Sequence, residues 1–377
     1  MKKQKSTLRT LSCWIMNDGK IGTLNQCLGL AEAVARQLTD HAIGLDTTIK
    51  LINPRLPWRR LPAKCWFLPL LAQSKAKNQA ENYMADAEQS DHKLTPPWPD
   101  LIISCGRTTA APTAEIRRRA RGATVAVAVQ DPRLASRHFD LVVVGSHDTV
   151  RGPKILVSDG ALHRVTDEKL AEARQEFAPL LAELPRPLVA VSLGGNNPHY
   201  RFGTSAAADL AERLIKLAQN GCGLAITPSR RTAPEALSVL HSRLAQSLSP
   251  ETYYLWDGTG KNPYFGLLAY ADHLVVTGDS VSMISEAAAT GKPVHVYSLP
   301  HHHRAQWLKP ILSMLKPKFM SGGKFVQFHQ RFHELGISRD FTSDQGHLPH
   351  WEYQPLAESD RMASYVLRIL AERHKIG

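Results

Sequence analysis

No CxxC pair occurs in these 377 residues, and the five cysteines are scattered and odd in number. That excludes a disulfide framework and a zinc ribbon, and fits buried free thiols in a reducing compartment. No run approaches the ~18 apolar residues of a membrane span. The basic-then-apolar start, MKKQKSTLRTLSCWIM, has too short an apolar part for a signal peptide, and no small-residue cleavage site precedes NDGK. It reads as a first strand.

Catalytic signatures are also sparse. There is no GxGxxG after a strand and no YxxxK, which argues against a short-chain epimerase or dehydrogenase. GxxxxGKS/T, HExxH and GxSxG are absent, and without a DxD a metal-bridged diphosphate has no acidic cradle. The triplet His301 to His303 reads as a solvated turn, because consecutive side chains do not converge on one ion. Neither a metal nor a cofactor is expected.

Acidic residues are missing altogether from Thr47 to Ala80. Within that gap Arg55, Arg59, Arg60, Lys64, Lys75 and Lys77 alternate with Trp58, Trp66, Phe67 and Leu70. Cations beside Trp and Leu suit the interface of an anionic bilayer, so residues 53–77 are the expected membrane-facing patch. An ordinary basic loop over a core helix is the alternative. The whole chain carries 46 Lys and Arg against 34 Asp and Glu, a formal charge of +12, which calls for an acidic partner. No nucleic-acid-binding motif accompanies the charge, so nucleic acid is not expected.

What is present is a regular alternation. Continuously apolar runs such as DLIISCG, ATVAVAVQ, PLVAVSLGG and HLVVTGDS read as parallel strands covered on both faces. Helical stretches follow them, as in LNQCLGLAEAVARQL and TSAAADLAERLIKLAQ. The fold class is therefore α/β, with two Rossmann-like domains facing across a cleft. The boundaries expected are 1–183 and 184–354, with a C-terminal helix in 355–377 packing back on the first domain.

In an open α/β sheet the carboxyl ends of the strands face the ligand. Three such tips in the second half look like an anion site. SLGGNN supplies Gly194, Gly195 and Asn196, and SRRT supplies Ser229, Arg230, Arg231 and Thr232. TGDSVS opens a helix, bringing Asp279, Ser280 and Ser282 to a helix N-terminus whose N–H groups favour an anion. Arginine pairs with phosphate in a fork geometry, so the expected ligand is the diphosphate of a nucleotide-linked donor. Glu286, one turn into the helix, can accept from a ribose diol. The plainer alternative is that Ser280 or Ser282 caps the helix and Glu286 completes a capping box.

The first half has polar tips of its own, where an acceptor is expected. These are Asp18, Lys20, Gly22, Asn25 and Gln26 after the first strand, Arg107 after SCG, Gln130 and Asp131 in VQDPR, and His147 and Asp148 in GSHD. Asp18 is the first candidate for a general base, with His147 and Asp148 second. Each is also a residue type common in turns and caps.

DGKIGTLNQCLGLAEA, GR, QDP, FDLVVVGSHD, SLGG, SRRT, NPY and TGDSVSMISEAAATGKPV together resemble the mitochondrial-fission (elongated-mitochondria) family and its bacterial relatives. The resemblance runs from about Trp14 to Leu356, with Gly278 where that family often has Ala. It implies a fold similar to two-domain GT-B glycosyltransferases. The second half is also similar to the donor site of the peptidoglycan lipid-intermediate N-acetylglucosaminyltransferase. By that likeness Glu286 would hold the ribose, Ser280 to Met283 the diphosphate and Arg230 the phosphates, with Asn262 and Tyr264 of NPY at the same site. Eukaryotic members imply an adaptor that recruits the fission machinery. A bacterial-type chain implies an inverting, metal-independent glycosyltransferase at the cytoplasmic face of the membrane, using a nucleotide sugar and a lipid-linked or envelope acceptor.

Overall fold

A computed structural model describes residues 9–53, 94–300, 322–342 and 346–376. The chain divides into two compact units, 1–164 with 357–377, and 165–356. The sequence reading put the boundary at 183/184. Residues 165–183 instead belong with the second unit, because Val165, Phe177, Leu181 and Leu184 join its core.

In the first unit, β1 (Arg9–Asn17), β2 (Ile43–Leu51), β3 (Leu101–Cys105), β4 (Val125–Val129), β5 (Leu141–Gly145) and β6 (Ile155–Ser158) form one sheet in the order β2-β1-β3-β4-β5-β6. Every pairing is parallel. All residues of β3 and β4 are buried, as expected of central strands covered on both faces. On one face lies α1 (Ile21–Thr39); α2 (Arg107–Arg119) follows β3 directly.

The C-terminal helix, which becomes α9 (Glu358–His374) in chain order, packs on α1 and places Met362, Ala363, Val366 and Leu370 in the first unit's core. Its polar ends are fastened too. Arg36 pairs with Asp360 at 2.6 Å, and Arg373 and Arg117 both reach the Asp140 carboxylate, at 3.0 and 2.8 Å. Burial alone would raise Asp140, but the Arg117 and Arg373 bonds and the Ala126 N–H outweigh it and hold the carboxyl well below the usual range.

The second unit repeats the plan. Its strands are β7 (Leu188–Leu193), β8 (Gly223–Pro228), β9 (Tyr253–Leu255), β10 (His273–Thr277), β11 (Val294–Tyr297) and β12 (Ser338–Asp340). They run in the order β12-β11-β10-β7-β8-β9, again all parallel. Around them lie α3 (Asp167–Glu176), α4 (Thr204–Gln219), α5 (Pro234–Ser247), α6 (Tyr264–Tyr270), α7 (Val281–Ala288) and α8 (Gly322–Glu334). The fold class expected from the sequence, two parallel-sheet α/β domains, is the one observed.

The apolar runs DLIISCG, ATVAVAVQ, PLVAVSLGG and HLVVTGDS, read as strands, are β3, β4, β7 and β10. β12 was missed because Ser-Arg-Asp carries no apolar signal. Also missed was α8, although Phe325, Phe328 and Phe332 recur at helical spacing and two of them are fully buried.

Candidate functional site

The strand order β10-β7-β8 sets the three anion-site tips side by side. One carboxylate links them. Asp279 follows β10, its side chain is fully buried, and it pairs at 3.0 Å with Arg231, which follows β8. It also accepts from the Gly195 N–H after β7 at 3.0 Å and from the Thr277 hydroxyl at 2.7 Å. The Thr277 hydroxyl in turn accepts from the Gly194 N–H at 2.7 Å.

Two glycines are required by this closeness. A Cβ on Gly194 would lie 2.0 Å from the Asp279 Oδ1, and one on Gly195 would lie 2.0 Å from the Arg231 carbonyl oxygen. Thr232 closes the turn from the other side, its hydroxyl donating to the Gly194 carbonyl at 2.5 Å. Asn196 is held as well: its N–H donates to the Arg231 carbonyl and its side-chain oxygen accepts from Phe202 N. Ser229 donates its N–H to the Leu193 carbonyl at 2.8 Å.

Expected ligand contacts thus separate into two groups. Asp279, Arg231, Thr232, Asn196 and the two glycines are occupied with one another and shape the backbone. Arg230 is exposed and has no ion-pair partner among the described residues. The adjacent arginines, equal in the sequence, are unequal in the structure.

Ser280 is the N-cap of α7, its hydroxyl accepting from Met283 N at 3.4 Å. The alternative role of Ser280 as a cap is therefore real, while the capping box is not: the N3 position belongs to Met283, and Glu286 lies too far along the helix to reach back. With Met283 N on Ser280, the N–H groups of Val281 and Ser282 have no hydrogen-bond partner among the described residues. Ser282 is half-buried beside them.

Glu286 is buried and accepts at 2.7 Å from the Tyr264 hydroxyl at the start of α6. Burial, then the Glu286 charge and hydrogen bond, push the Tyr264 phenol well above its ordinary value, so it stays a donor. Tyr264 is oriented by Asn262, whose side-chain oxygen accepts from the Tyr264 N–H at 2.9 Å. The structure thereby joins NPY to Glu286.

The first unit's tips also share one sheet edge, since β1, β3, β4 and β5 are neighbours. Their side chains, however, serve their own turns. Asp18 accepts from the Thr23 hydroxyl at 2.9 Å and pairs with Lys20 across the start of α1. Asp131 accepts from Arg133 N at 2.9 Å and pairs with its guanidinium. Gln26 is buried and donates to the Gly22 carbonyl at 3.4 Å, while Asn25 is half-buried.

The His147 ring lies over Gly145, where a Cβ would come within 2.3 Å of it. Asp148 is buried, its N–H donating to the Gly145 carbonyl at 2.9 Å. Arg107 is exposed at the first position of α2, and Gln130 follows β4 with φ +64°, its side-chain oxygen 3.9 Å from where a Cβ on Gly106 would stand. Residues 54–77 of the expected membrane patch and His301 to His303 lie outside the described residues. Among the described residues no helix is long and apolar enough to cross a membrane, and no cluster of metal-ligating side chains occurs.

The family described as Mitochondrial fission ELM1 matches residues 21–370. The chain belongs to that family. Mitochondrial fission protein ELM1 of Arabidopsis thaliana is 31% identical over 298 residues, 73% of this chain and 65% of that protein. The matched part thus spans just under two thirds of the plant relative. An uncharacterized protein of Rickettsia prowazekii is 24% identical over 394 residues, covering 94% of this chain and 98% of that one.

Among solved structures, a proposed UDP-N-acetylglucosamine 2-epimerase from Listeria monocytogenes superposes with a TM-score of 0.52 at 11% identity, over 98% of both chains. That likeness shows the GT-B-type fold.

Proposed function

We propose that the second unit binds a nucleoside diphosphate-linked sugar, and that the chain transfers the sugar to a lipid-linked or envelope acceptor. The observation carrying this reading is the brace through Asp279. It fixes three adjacent strand ends and leaves the Arg230 guanidinium, one residue from the braced Arg231, exposed and without an ion-pair partner among the described residues. Free helix N–H groups and a guanidinium are suited to a diphosphate. Glu286, oriented by Tyr264, is the proposed ribose contact. A diphosphate leaving group carries the charge that develops during transfer, and fixed donors stabilise it without a metal.

Acceptor chemistry is assigned to the first unit's rim, with Arg107, Gln130 and His147 as the proposed contacts. Asp18 keeps its place as a candidate base, although its carboxylate already serves Thr23 and Lys20. Residues 53–77 are the proposed contact with an anionic membrane surface.

One observation favours a second reading, an adaptor that keeps the fold without transferring sugar: the plant relative is named for mitochondrial fission. A thermal-shift screen of nucleoside diphosphates and their sugars separates the two. A ligand at 100 times its Kd should stabilise the native state by about 2.7 kcal/mol. Stabilisation by one nucleotide series supports the first reading, and none by any nucleotide supports the second.

A further inference from the structure

A cavity of about 350 Å³ opens in the second unit where the carboxyl ends of β10 and β11 meet α8. Its size is at the lower end of small-molecule sites. Polar groups on its wall come from Tyr200, Ser298, His329, Gln330, His333 and Asp340. Val296, Leu299 and Val326 give it an apolar side. None of the described lining residues is Lys or Arg, so the cavity is unsuited to a phosphate and suited to a neutral ligand rich in hydroxyls. Hydroxyls both donate and accept, which matches a wall of amide, imidazole, hydroxyl and carboxylate groups.

Its position ties the cavity to the braced tips. Gly278 forms part of the wall and immediately precedes Asp279 and Ser280. Helix α8 is fastened at this point: His329 Nε2 lies 2.8 Å from the Gly278 carbonyl oxygen, and Phe325 packs edge-on against Tyr200, 5.2 Å between centroids. Donation to that carbonyl leaves Nδ1 as an acceptor, and it has no hydrogen-bond partner among the described residues. Burial pushes His329 below its ordinary value despite the Gly278 bond, so it adds no positive charge at neutral pH.

We infer that this cavity receives the glycosyl group of the nucleoside diphosphate sugar, with Gln330, Asp340 and Ser298 contacting its hydroxyls. The inference rests on the nucleotide-binding reading above and adds the place and chemistry of sugar recognition. The diphosphate is held by Arg230 and the start of α7. The neutral sugar passes by way of Gly278 under α8.

Calorimetric titration of the full chain tests it, using UDP, ADP, GDP and CDP, each beside its glucose derivative, and UDP beside UDP-N-acetylglucosamine. Wild type should bind a sugar form about tenfold more tightly than the matching diphosphate, the scale of one or two good hydrogen bonds. Gln330→Ala and Asp340→Asn should each remove much of that advantage, and Val326→Trp, which fills the cavity, all of it. All three positions are exposed, so folding is preserved. Affinity for the bare diphosphate should stay within twofold of wild type in every variant. Equal binding of sugar and diphosphate forms by wild type, or a sugar advantage unchanged in all three variants, overturns the inference while sparing the nucleotide site. No binding of any diphosphate overturns both.

Discussion

The two units share a six-stranded parallel sheet and polar turns at its carboxyl edge, yet they use carboxylates at different places. In the first unit Asp140, at the amino end of β5, holds distant parts together by joining α2 and α9 through Arg117 and Arg373. Its carboxyl-edge acids, Asp18 and Asp131, bond within their own turns. In the second unit Asp279 stands at the carboxyl edge and bonds across three strands. A brace at that edge fixes backbone where ligands bind, which is what a preorganised anion site needs. One at the amino edge fixes the fold and leaves the rim to local turns.

Acid should expose the largest difference. His295 is buried beside His273, 3.3 Å between ring nitrogens, and burial, then His273 and Arg339, push it down to about 3 from 6.5. Its stabilising contribution is complete above the unfolded value and is lost as pH falls toward the folded one. The second unit should therefore lose stability from this group as pH falls below 6.5 toward about 3. Asp140, also depressed, contributes fully above its unfolded value of 3.8 and loses that contribution only as pH falls below it. Hydrogen exchange during acid titration should show protection lost first in the second unit. Earlier loss in the first would reverse the comparison.

Next in size is Gly195→Ala. The new methyl meets the Arg231 carbonyl, a backbone atom that cannot swing aside, at a cost of about 2–3 kcal/mol. Denaturant unfolding should register this, and nucleotide affinity should fall with it. Full stability and affinity would mean that the turn relaxes freely and the brace is not rigid.

The sequence made much of this legible, and the gaps have physical causes. Continuous apolar runs such as VAVAV and HLVVT announced buried parallel strands. Glycines, the arginine pair and DSVS marked the tips because these residue types have few other uses together after a strand. The inequality of Arg230 and Arg231 was hidden, since it depends on β10 pairing with β7 rather than on anything local. The bond from Tyr264 to Glu286 spans two helices and was hidden for the same reason. Helix α8 was legible in its phenylalanine spacing, but its place beside Gly278 was not.

A smaller effect sharpens the contrast from the first unit. Asp18→Asn should cost up to about 1 kcal/mol, because Lys20 is mostly exposed and its pair is screened. Nucleotide affinity should be unchanged. Loss of sugar transfer with stability intact would make Asp18 the base; loss of stability with transfer intact would leave it a turn residue.

Arg231 braces the turn through Asp279, and we propose that its neighbour Arg230 is the arginine that contacts the ligand. Calorimetric titration of Arg230→Ala and Arg231→Ala with the nucleoside diphosphate that stabilises wild type, together with their melting temperatures, tests it most directly. Arg230→Ala should weaken binding by about 1.5–3 kcal/mol, the range of a charge-assisted hydrogen bond, with an unchanged melting temperature. Arg231→Ala should lower the melting temperature. Undiminished nucleotide affinity in a well-folded Arg230→Ala protein would contradict the account.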